Sequence, residues 1–240
     1  MLRYIVRIGC KWHNTTMDMR EIFQKLTGEV GNVRIVAVSK TRPLEDIKRA
    51  YDAGFRIFGE NYVQEIIDKF SDWHPADAQI HMIGHLQTNK VNKVVSLVDM
   101  IESVDSLHLL EKIDACAAGH GKIMPVLLEM NTSGETSKSG FSSEKELFDC
   151  VEASLNMKNV RICGLMTIGP VNCPAAMKEK LTEQAFAKLA SLKVECEHRF
   201  PGLCLSELSM GMSGDYMTGV RAGSTIVRIG TLIFGARSYA

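Results

Sequence analysis

Short apolar runs alternate along the chain with longer stretches in which apolar residues recur at helical spacing. Several of these runs are apolar almost throughout, a pattern typical of parallel strands that are covered on both faces. The pattern predicts eight strands, at residues 34–39, 55–58, 80–83, 98–103, 124–130, 160–167, 205–210 and 225–229.

Helices are predicted around these strands, with none after the last strand. In the stretch 43–53, Pro43 is expected at the first helical position, and Gly54 follows the last turn. Other helices are predicted at 18–27, 61–70, 88–96, 105–118, 142–156, 175–198 and 214–222. Ser143 lies three positions before Glu146, which is the spacing of a capping box.

Repeated strand–helix units imply right-handed parallel crossovers. Eight such units in 240 residues predict an α/β protein with a single (β/α)8 TIM barrel. An open doubly wound sheet is the alternative. No change of composition marks a domain boundary, so we expect one barrel over residues 18–240, preceded by an N-terminal arm over residues 1–17.

Charge and cysteine content narrow the class of protein. The 28 basic and 28 acidic residues balance, so we expect neither nucleic acid nor a membrane as a partner. The 7 cysteines occur singly, as expected for free thiols in a reducing compartment. We therefore expect a cytoplasmic protein. A mitochondrial location is the alternative, because residues 1–17 are mildly basic and contain no acid.

Polar residues and glycines collect where the predicted strands end. In TIM barrels the chemistry lies at the carboxyl ends of the strands. The residues there are Ser39-Lys40-Thr41, Gly59-Glu60-Asn61, Gly84-His85-Leu86-Gln87, Asn131, Thr167-Ile168-Gly169, Gly211-Met212-Ser213-Gly214 and Gly230-Thr231. Their common position predicts a ligand site at this end of the barrel.

The last two strand ends resemble a phosphate site. Loops after the seventh and eighth strands often bind phosphate, and glycines let backbone N–H groups approach an anion. Ser213 is expected to be the N-cap of the following helix or a phosphate donor, and Gly230 and Thr231 could add donors. The alternative is an ordinary serine cap beside a glycine turn.

Lys40 lies at the end of a strand that is expected to be buried. Partial desolvation lowers the pKa of an amine and makes it nucleophilic. A lysine and a phosphate site in one barrel mouth match the needs of pyridoxal 5′-phosphate (PLP). The alternative is a solvated lysine at the start of a loop.

Arg228 lies on an apolar strand, and a buried guanidinium needs partners. It either donates to the pyridine nitrogen of PLP or forms a structural ion pair.

Seven motifs resemble the pyridoxal phosphate homeostasis protein family, whose fold is similar to the barrel of alanine racemase. They are VAVSKTRP (36–43), FGENYVQE (58–65), IHMIGHLQTNK (80–90), SKSGF (137–141), CGLMTIGP (163–170), LSMGMSGD (208–215) and AGSTIVRIGTLIFGAR (222–237). The resemblance covers about residues 33–238. It implies a fold-type III PLP barrel without the C-terminal β domain.

The same resemblance implies the cofactor site. Lys40 would carry PLP as a Schiff base, Asn61 would lie near the cofactor, and Arg228 would face the ring nitrogen. Contacts to the cofactor, its phosphate included, would come from Ser209, Met210, Gly211, Met212, Ser213, Gly230 and Thr231.

Two other features could be mistaken for sites. His81 and His85 have a zinc-like spacing, but they span a strand end and a turn, so we expect no metal. Lys138 is a possible cofactor or substrate contact. It is a poorer Schiff-base candidate because its Ser/Gly loop is expected to be mobile.

Three functions remain open. The first is a PLP carrier acting in vitamin B6 homeostasis without robust turnover, with PLP-dependent enzymes as possible recipients. The second is a PLP-dependent amino-acid racemase of low activity. The chain ends soon after the barrel, so we expect no second domain to supply another catalytic base, and we favour a non-enzymatic monomer. The third is a PLP-free Schiff-base aldolase, which would be colourless.

Overall fold

The fold was obtained as a computed structural model, which describes residues 4–8, 11–15, 17–135 and 138–236. Within them the strands are β1 (Tyr4–Ile8), β2 (Lys11–Thr15), β3 (Arg34–Val38), β4 (Ile57–Glu60), β5 (Gln79–Met82), β6 (Met100–Val104), β7 (Met124–Glu129), β8 (Val160–Met166), β9 (Glu207–Met212) and β10 (Ile226–Ile229). The helices are α1 (Met19–Val30), α2 (Leu44–Ala53), α3 (Val63–Phe70), α4 (Val91–Val94), α5 (Leu107–Gly119), α6 (Glu144–Ser154), α7 (Ala175–Arg199), α8 (Tyr216–Arg221) and α9 (Thr231–Phe234).

Strands β3 to β10 form a closed barrel of parallel strands in chain order, and β10 pairs with β3 to close it. The (β/α)8 prediction is therefore confirmed, and the open-sheet alternative is wrong. Each predicted strand overlaps an observed strand of the barrel.

Side chains of the barrel strands alternate between two cores. On β3, Ile35 and Ala37 pack in the large core between the strands and the helices. Val36 packs in a second core inside the barrel, and Val38 packs against it. Side-chain direction has a period of two along a strand, so residues of even number on β3 face the barrel interior.

The helix boundaries show where the sequence pattern was less informative. Pro43 is the N-cap of α2 rather than its first residue, because its ψ of 158° is extended. The last strand does have a following helix, the short α9, and the stretch 88–96 contains a 3-10 turn at Thr88–Lys90 before α4. The capping box of Ser143 and Glu146 at the start of α6 is confirmed.

The antiparallel pair of strands β1 and β2 lies within the predicted N-terminal arm. α1 follows it and begins at a second capping box, in which Asp18 and Glu21 each accept a hydrogen bond from the other's backbone N–H. Across the described part of the chain, we find no helix of the length and apolarity that a bilayer crossing requires.

Candidate cofactor-binding site

Lys40 reaches the barrel mouth because of the alternation on β3. Val36 lies in the interior core, Val38 packs at its upper edge, and Lys40 continues the same even-numbered face beyond the strand. Lys40 is half-buried, and both Val38 and Lys40 line a cavity of about 310 Å³.

This cavity, which we call the mouth cavity, brings together most of the predicted site. Seven of the ten predicted residues line it, and they come from the ends of four strands. They are Lys40, Asn61, Met212, Ser213, Arg228, Gly230 and Thr231. Val38, Ile83, Ile168 and Gly214 complete the lining. Val38 and Ile83 could have been identified from the alternation of side chains along their strands, because both lie on the face that points into the barrel.

The other three predicted residues lie behind the lining. Met210 is completely buried and packs in the core between strands and helices. Gly211 has a φ of 102°, and a Cβ there would lie 2.9 Å from the Cα of Tyr216, so the turn requires glycine. Ser209 is buried inside the barrel and contacts Arg228 rather than the cavity.

Ser213 is not a helix cap, which corrects one of the two expectations for it. Asp215 is the N-cap residue of α8, and its carboxylate accepts a hydrogen bond from the Met212 N–H at 2.6 Å. The hydroxyl of Ser213 instead accepts one from the Gly230 N–H at 3.2 Å. This bond joins the loops after β9 and β10, the two loops in which a phosphate site was predicted.

Arg228 has the buried ion-pair partner that one of the two interpretations of the sequence predicted. It is 4% exposed and lines the mouth cavity. Its Nη1 donates to the Ser209 hydroxyl at 2.5 Å, and its Nη2 donates to the Thr167 carbonyl at 2.8 Å. The Glu102 carboxylate lies 3.9 Å away and provides the opposite charge. The guanidinium is therefore both a structural ion-pair partner and a fixed cation at the base of the cavity.

A chain of polar groups crosses the barrel beneath Arg228. Glu102 accepts from the Ser209 hydroxyl at 2.5 Å, and its other oxygen lies 2.6 Å from the His81 Nδ1. Burial by itself raises the pKa of Glu102, but the His81 hydrogen bond and the Arg228 charge outweigh it and hold the pKa below its ordinary value. Glu102 is thus a buried carboxylate that stays ionised opposite Arg228.

Asn61 lies between the mouth cavity and a larger neighbouring cavity. Its Oδ1 atom is buried and has no hydrogen-bond partner among the described residues. Gly84 stands directly behind it, and a Cβ on Gly84 would lie 2.5 Å from the Asn61 carbonyl oxygen. The neighbouring cavity, of about 570 Å³, is also lined by Tyr62, Lys90 and Lys93. An acceptor without a partner at this boundary is a feature that a bound ligand would satisfy.

The chemistry of the mouth cavity fits a phosphorylated aldehyde such as PLP. Lys40 offers an amine, and Arg228 offers a fixed cation. A Cβ built on Gly214 would meet no other atom of the described chain within 4 Å, so a ligand can approach the Gly214 backbone closely. The residues present therefore supply a nucleophile, a charged donor and an accessible glycine loop.

Lys138 makes several polar contacts across the barrel mouth, whereas residues 136–137 of its loop lie outside the described residues. Its ammonium pairs with Glu135 and donates to the Ser133 hydroxyl at 3.0 Å and to the carbonyls of Ile168 and Gly169 at 3.2 and 2.7 Å. The Lys138 hydrogen bond, together with the backbone N–H groups of Asn172 and Val171, lowers the pKa of Glu135 to about 2. Lys138 therefore joins the loops after β7 and β8.

His81 and His85 each bind a carboxylate of the neighbouring strand or loop. His81 contacts Glu102, whereas His85 is exposed and its Nδ1 lies 2.8 Å from Asp105. The described residues contain no cluster of three or more His, Cys, Asp or Glu side chains that could hold a metal ion.

Comparison with known proteins identifies the family. The profile of the family described as Alanine racemase, N-terminal domain, matches residues 17–238. The pyridoxal phosphate homeostasis protein of Vibrio alginolyticus is 41% identical over 229 residues, which cover 94% of this chain and 95% of the relative. The chain belongs to the pyridoxal phosphate homeostasis protein family. Its Escherichia coli member is 36% identical over 211 residues, or 87% of each chain.

Solved structures agree with this assignment. The PipY protein of Synechococcus elongatus, solved with PLP bound, is 35% identical and has a TM-score of 0.82. The match covers 91% of this chain and all of PipY. The alanine racemase of Streptomyces coelicolor is 16% identical, with a TM-score of 0.73, and the match covers 91% of this chain but 58% of the racemase. That second likeness concerns the barrel fold alone.

Proposed function

We propose that this chain binds PLP as a Schiff base on Lys40 and acts in intracellular PLP homeostasis without robust catalytic turnover. The observation that carries the proposal is the presence of Lys40, Arg228 and the Ser213–Gly230 loop pair around one cavity. Members of the family are named for PLP homeostasis, and PipY has been solved with PLP, which supports PLP as the ligand here.

The covalent step needs Lys40 as a neutral amine. Its Nζ lone pair attacks the aldehyde carbon of PLP, a C=N bond replaces the C=O bond, and the carbonyl oxygen leaves as one molecule of water with the two hydrogens of the amine. No oxidant or reductant is involved. The loops that meet at Ser213 and Gly230 would hold the phosphate, because their backbone groups border the cavity.

Arg228 supports the proposal of low turnover. A guanidinium has donors only and stays protonated, so opposite a pyridine nitrogen it donates a hydrogen bond and leaves that nitrogen without a proton. PLP supplies an electron sink for amino-acid chemistry, and an unprotonated ring is the weaker sink. The bonds to Ser209 and Thr167 hold the guanidinium in one position at the mouth cavity, which supports this proposed role.

The test is an absorption spectrum of wild type beside Lys40→Ala, before and after borohydride. We expect a band at about 400–430 nm from the Schiff base, fixed by borohydride onto the peptide that carries Lys40. Lys138→Ala is the matched control, because Lys138 is at the same barrel end but is bound to Glu135, and it should keep the band. A colourless wild type that does not bind added PLP would refute the proposal and favour the aldolase alternative.

A low-activity racemase is the second candidate, and one observation favours it. Glu129 is buried at the end of β7, and burial raises the pKa of Glu129 to about 7, a value suited to a general acid or base. Racemisation of L-alanine, followed by the appearance of D-alanine, tests this candidate. A substantial rate that disappears in both Lys40→Ala and Glu129→Gln would replace the carrier proposal.

The proposal extends to partners and location. We propose a cytoplasmic monomer that passes PLP to PLP-dependent enzymes. The cysteines within the described residues are free thiols, which suits a reducing compartment. Light scattering of the purified protein tests the monomer. Delivery is tested by mixing the PLP-loaded protein with an apoenzyme at a series of dilutions and following the borohydride-reducible PLP that reaches the apoenzyme. Direct transfer would be faster than release of PLP into solution.

A further inference from the structure

Lys69 carries a largely buried ammonium close to the start of the turn that contains Lys40. It lies in the last turn of α3, and its side chain is 10% exposed. Its Nζ donates to Glu60 Oε1 at 2.8 Å, to Glu65 Oε2 at 2.5 Å and to the Ser39 carbonyl at 3.0 Å. An ammonium has three donors, so these three acceptors satisfy it completely.

The same ion cluster holds the residues on both sides of Lys40. On one side, the Ser39 carbonyl accepts from Lys69, and the Ser39 hydroxyl donates to Glu60 at 2.7 Å. On the other side, the Thr41 N–H donates to Glu65 Oε2 at 2.7 Å. The peptide before Lys40 and the peptide after it are therefore both attached to Lys69, the first directly and the second through Glu65.

Thr41 needs such support because its backbone is strained. Its φ is 63°, and it is the only described residue other than glycine with a positive φ. A β-branched residue is strained in this region of φ and persists there only where the surroundings fix it. The Arg42 N–H, which donates to the Ser39 carbonyl at 3.0 Å, closes the turn around Lys40. The chain thus leaves β3 sharply while Lys40 stays directed into the mouth cavity.

We propose that Lys69 is a positioning residue for Lys40: it fixes the strained turn so that the Lys40 amine is placed to condense with the aldehyde of PLP. The inference rests on the proposed function. Placement matters because an error of about 1 Å in a reacting group can lower a rate by about a hundredfold. The competing interpretation is that the cluster only stabilises the packing of α3 against the barrel.

Lys69→Met tests the inference, with Lys122→Met as the matched control. Lys122 is also a partly buried lysine, and its ammonium donates to the carbonyls of Val95 and Val98, outside the mouth cavity lining. PLP is removed from each protein and then added back. The absorbance of the Schiff-base band is followed in time, at a temperature well below the melting temperature of each variant. We expect condensation at Lys40 to slow by about tenfold or more in Lys69→Met and by less than about twofold in Lys122→Met.

Glu65→Gln is the second variant, for the case that Lys69→Met does not fold. The Glu65 side chain is 23% exposed, so this change to a neutral amide should be tolerated more easily than the change at Lys69. It weakens the bond to Thr41 and should slow condensation by about threefold or more. Tandem mass spectrometry after borohydride should also show a larger share of PLP on lysines other than Lys40.

The outcomes separate the two proposals. If wild type gives no borohydride-fixed product on Lys40, the proposed function and this inference both fail. If wild type gives that product and both Lys69→Met and Glu65→Gln form it at the wild-type rate, the positioning role alone is refuted. A loss of melting temperature without a change in rate assigns the cluster to stability only.

Discussion

The Nη1 atom of Arg228 lies 2.5 Å from the hydroxyl oxygen of Ser209, inside the closed barrel. The same hydroxyl donates to Glu102, so it links a buried cation to a buried anion whose own closest approach is 3.9 Å. Removing the Ser209 hydroxyl would leave Arg228 and Glu102 each without one hydrogen bond, at a buried position where water cannot replace it.

Ser209→Ala should therefore lower the free energy of unfolding by about 1–3 kcal/mol. Denaturant unfolding followed by circular dichroism measures this value. PLP affinity should fall as well, because Arg228 loses one of its two fixed hydrogen bonds. Ser206→Ala, at an exposed serine just before β9, is the control and should change neither quantity. Equal stability of the two variants would contradict the linking role of Ser209.

Gly214→Ala should separate PLP binding from stability. A Cβ at Gly214 would meet no other atom of the described chain within 4 Å, so the folded protein accepts it without strain. The methyl group would occupy space at the mouth cavity, and we expect PLP affinity to fall about tenfold, or about 1.4 kcal/mol. A titration of apoprotein with PLP measures the affinity.

The control for Gly214→Ala is Gly28→Ala, in the exposed face of α1, where a Cβ also finds open space. It should raise stability by up to about 1 kcal/mol, because alanine favours a helix more than glycine does, and it should leave PLP affinity unchanged. If Gly214→Ala binds PLP as wild type does, the loop after β9 does not approach the ligand.

Glu135→Ala should release the loop that carries Lys138. The Glu135 carboxylate accepts from Lys138 and from the backbone N–H groups of Val171 and Asn172, so it holds the loops after β7 and β8 together. We expect trypsin to cleave after Lys138 at least about threefold faster in the variant, since proteolysis requires local opening. Gel electrophoresis of timed samples measures the rate. Glu152→Ala, at an exposed position of α6, should cleave as wild type does.

Much of this arrangement was predictable from local patterns, and the reasons are physical. Lys40 follows a predicted strand directly, and carboxyl ends of barrel strands meet at the mouth, so the sequence alone placed Lys40 there. The alternation of Val36, Val38 and Lys40 on one face of β3 is the physical reason that this placement is correct. Glycines and serines after the last two strands predicted the loops that border the same cavity. These signals depend on near neighbours in the chain.

Contacts between distant positions were not predictable. Ser209 and Glu102 are 107 positions apart, and periodicity states which face a residue occupies but not which partner stands opposite it. The contacts of Lys69 with Ser39 and Glu60 were missed for the same reason, since a lysine in a helix usually indicates a solvated face. Ser213 was misassigned as a possible cap because the turn after β9 delays the helix until Tyr216.

Glu129 should make the stability of the protein fall as the pH rises from about 4.5 to about 7. Burial raises the pKa of Glu129 from 4.5 to about 7, although Arg228 opposes the shift. Between those two values the folded protein binds a proton that the unfolded chain has released. The free energy of unfolding therefore decreases from about pH 4.5 to about pH 7 and then levels off as far as this group is concerned.

Glu129→Gln removes this ionisation and keeps the shape of the side chain. The difference in unfolding free energy, variant minus wild type, should rise by about 3 kcal/mol between pH 4.5 and pH 7.5. Urea unfolding at several pH values measures it, and the difference cancels the contributions of other titrating groups. Glu152→Gln, at an exposed glutamate, should give a nearly constant difference. A constant difference for Glu129→Gln would mean that its carboxyl group is already ionised at low pH and is stabilised by Arg228.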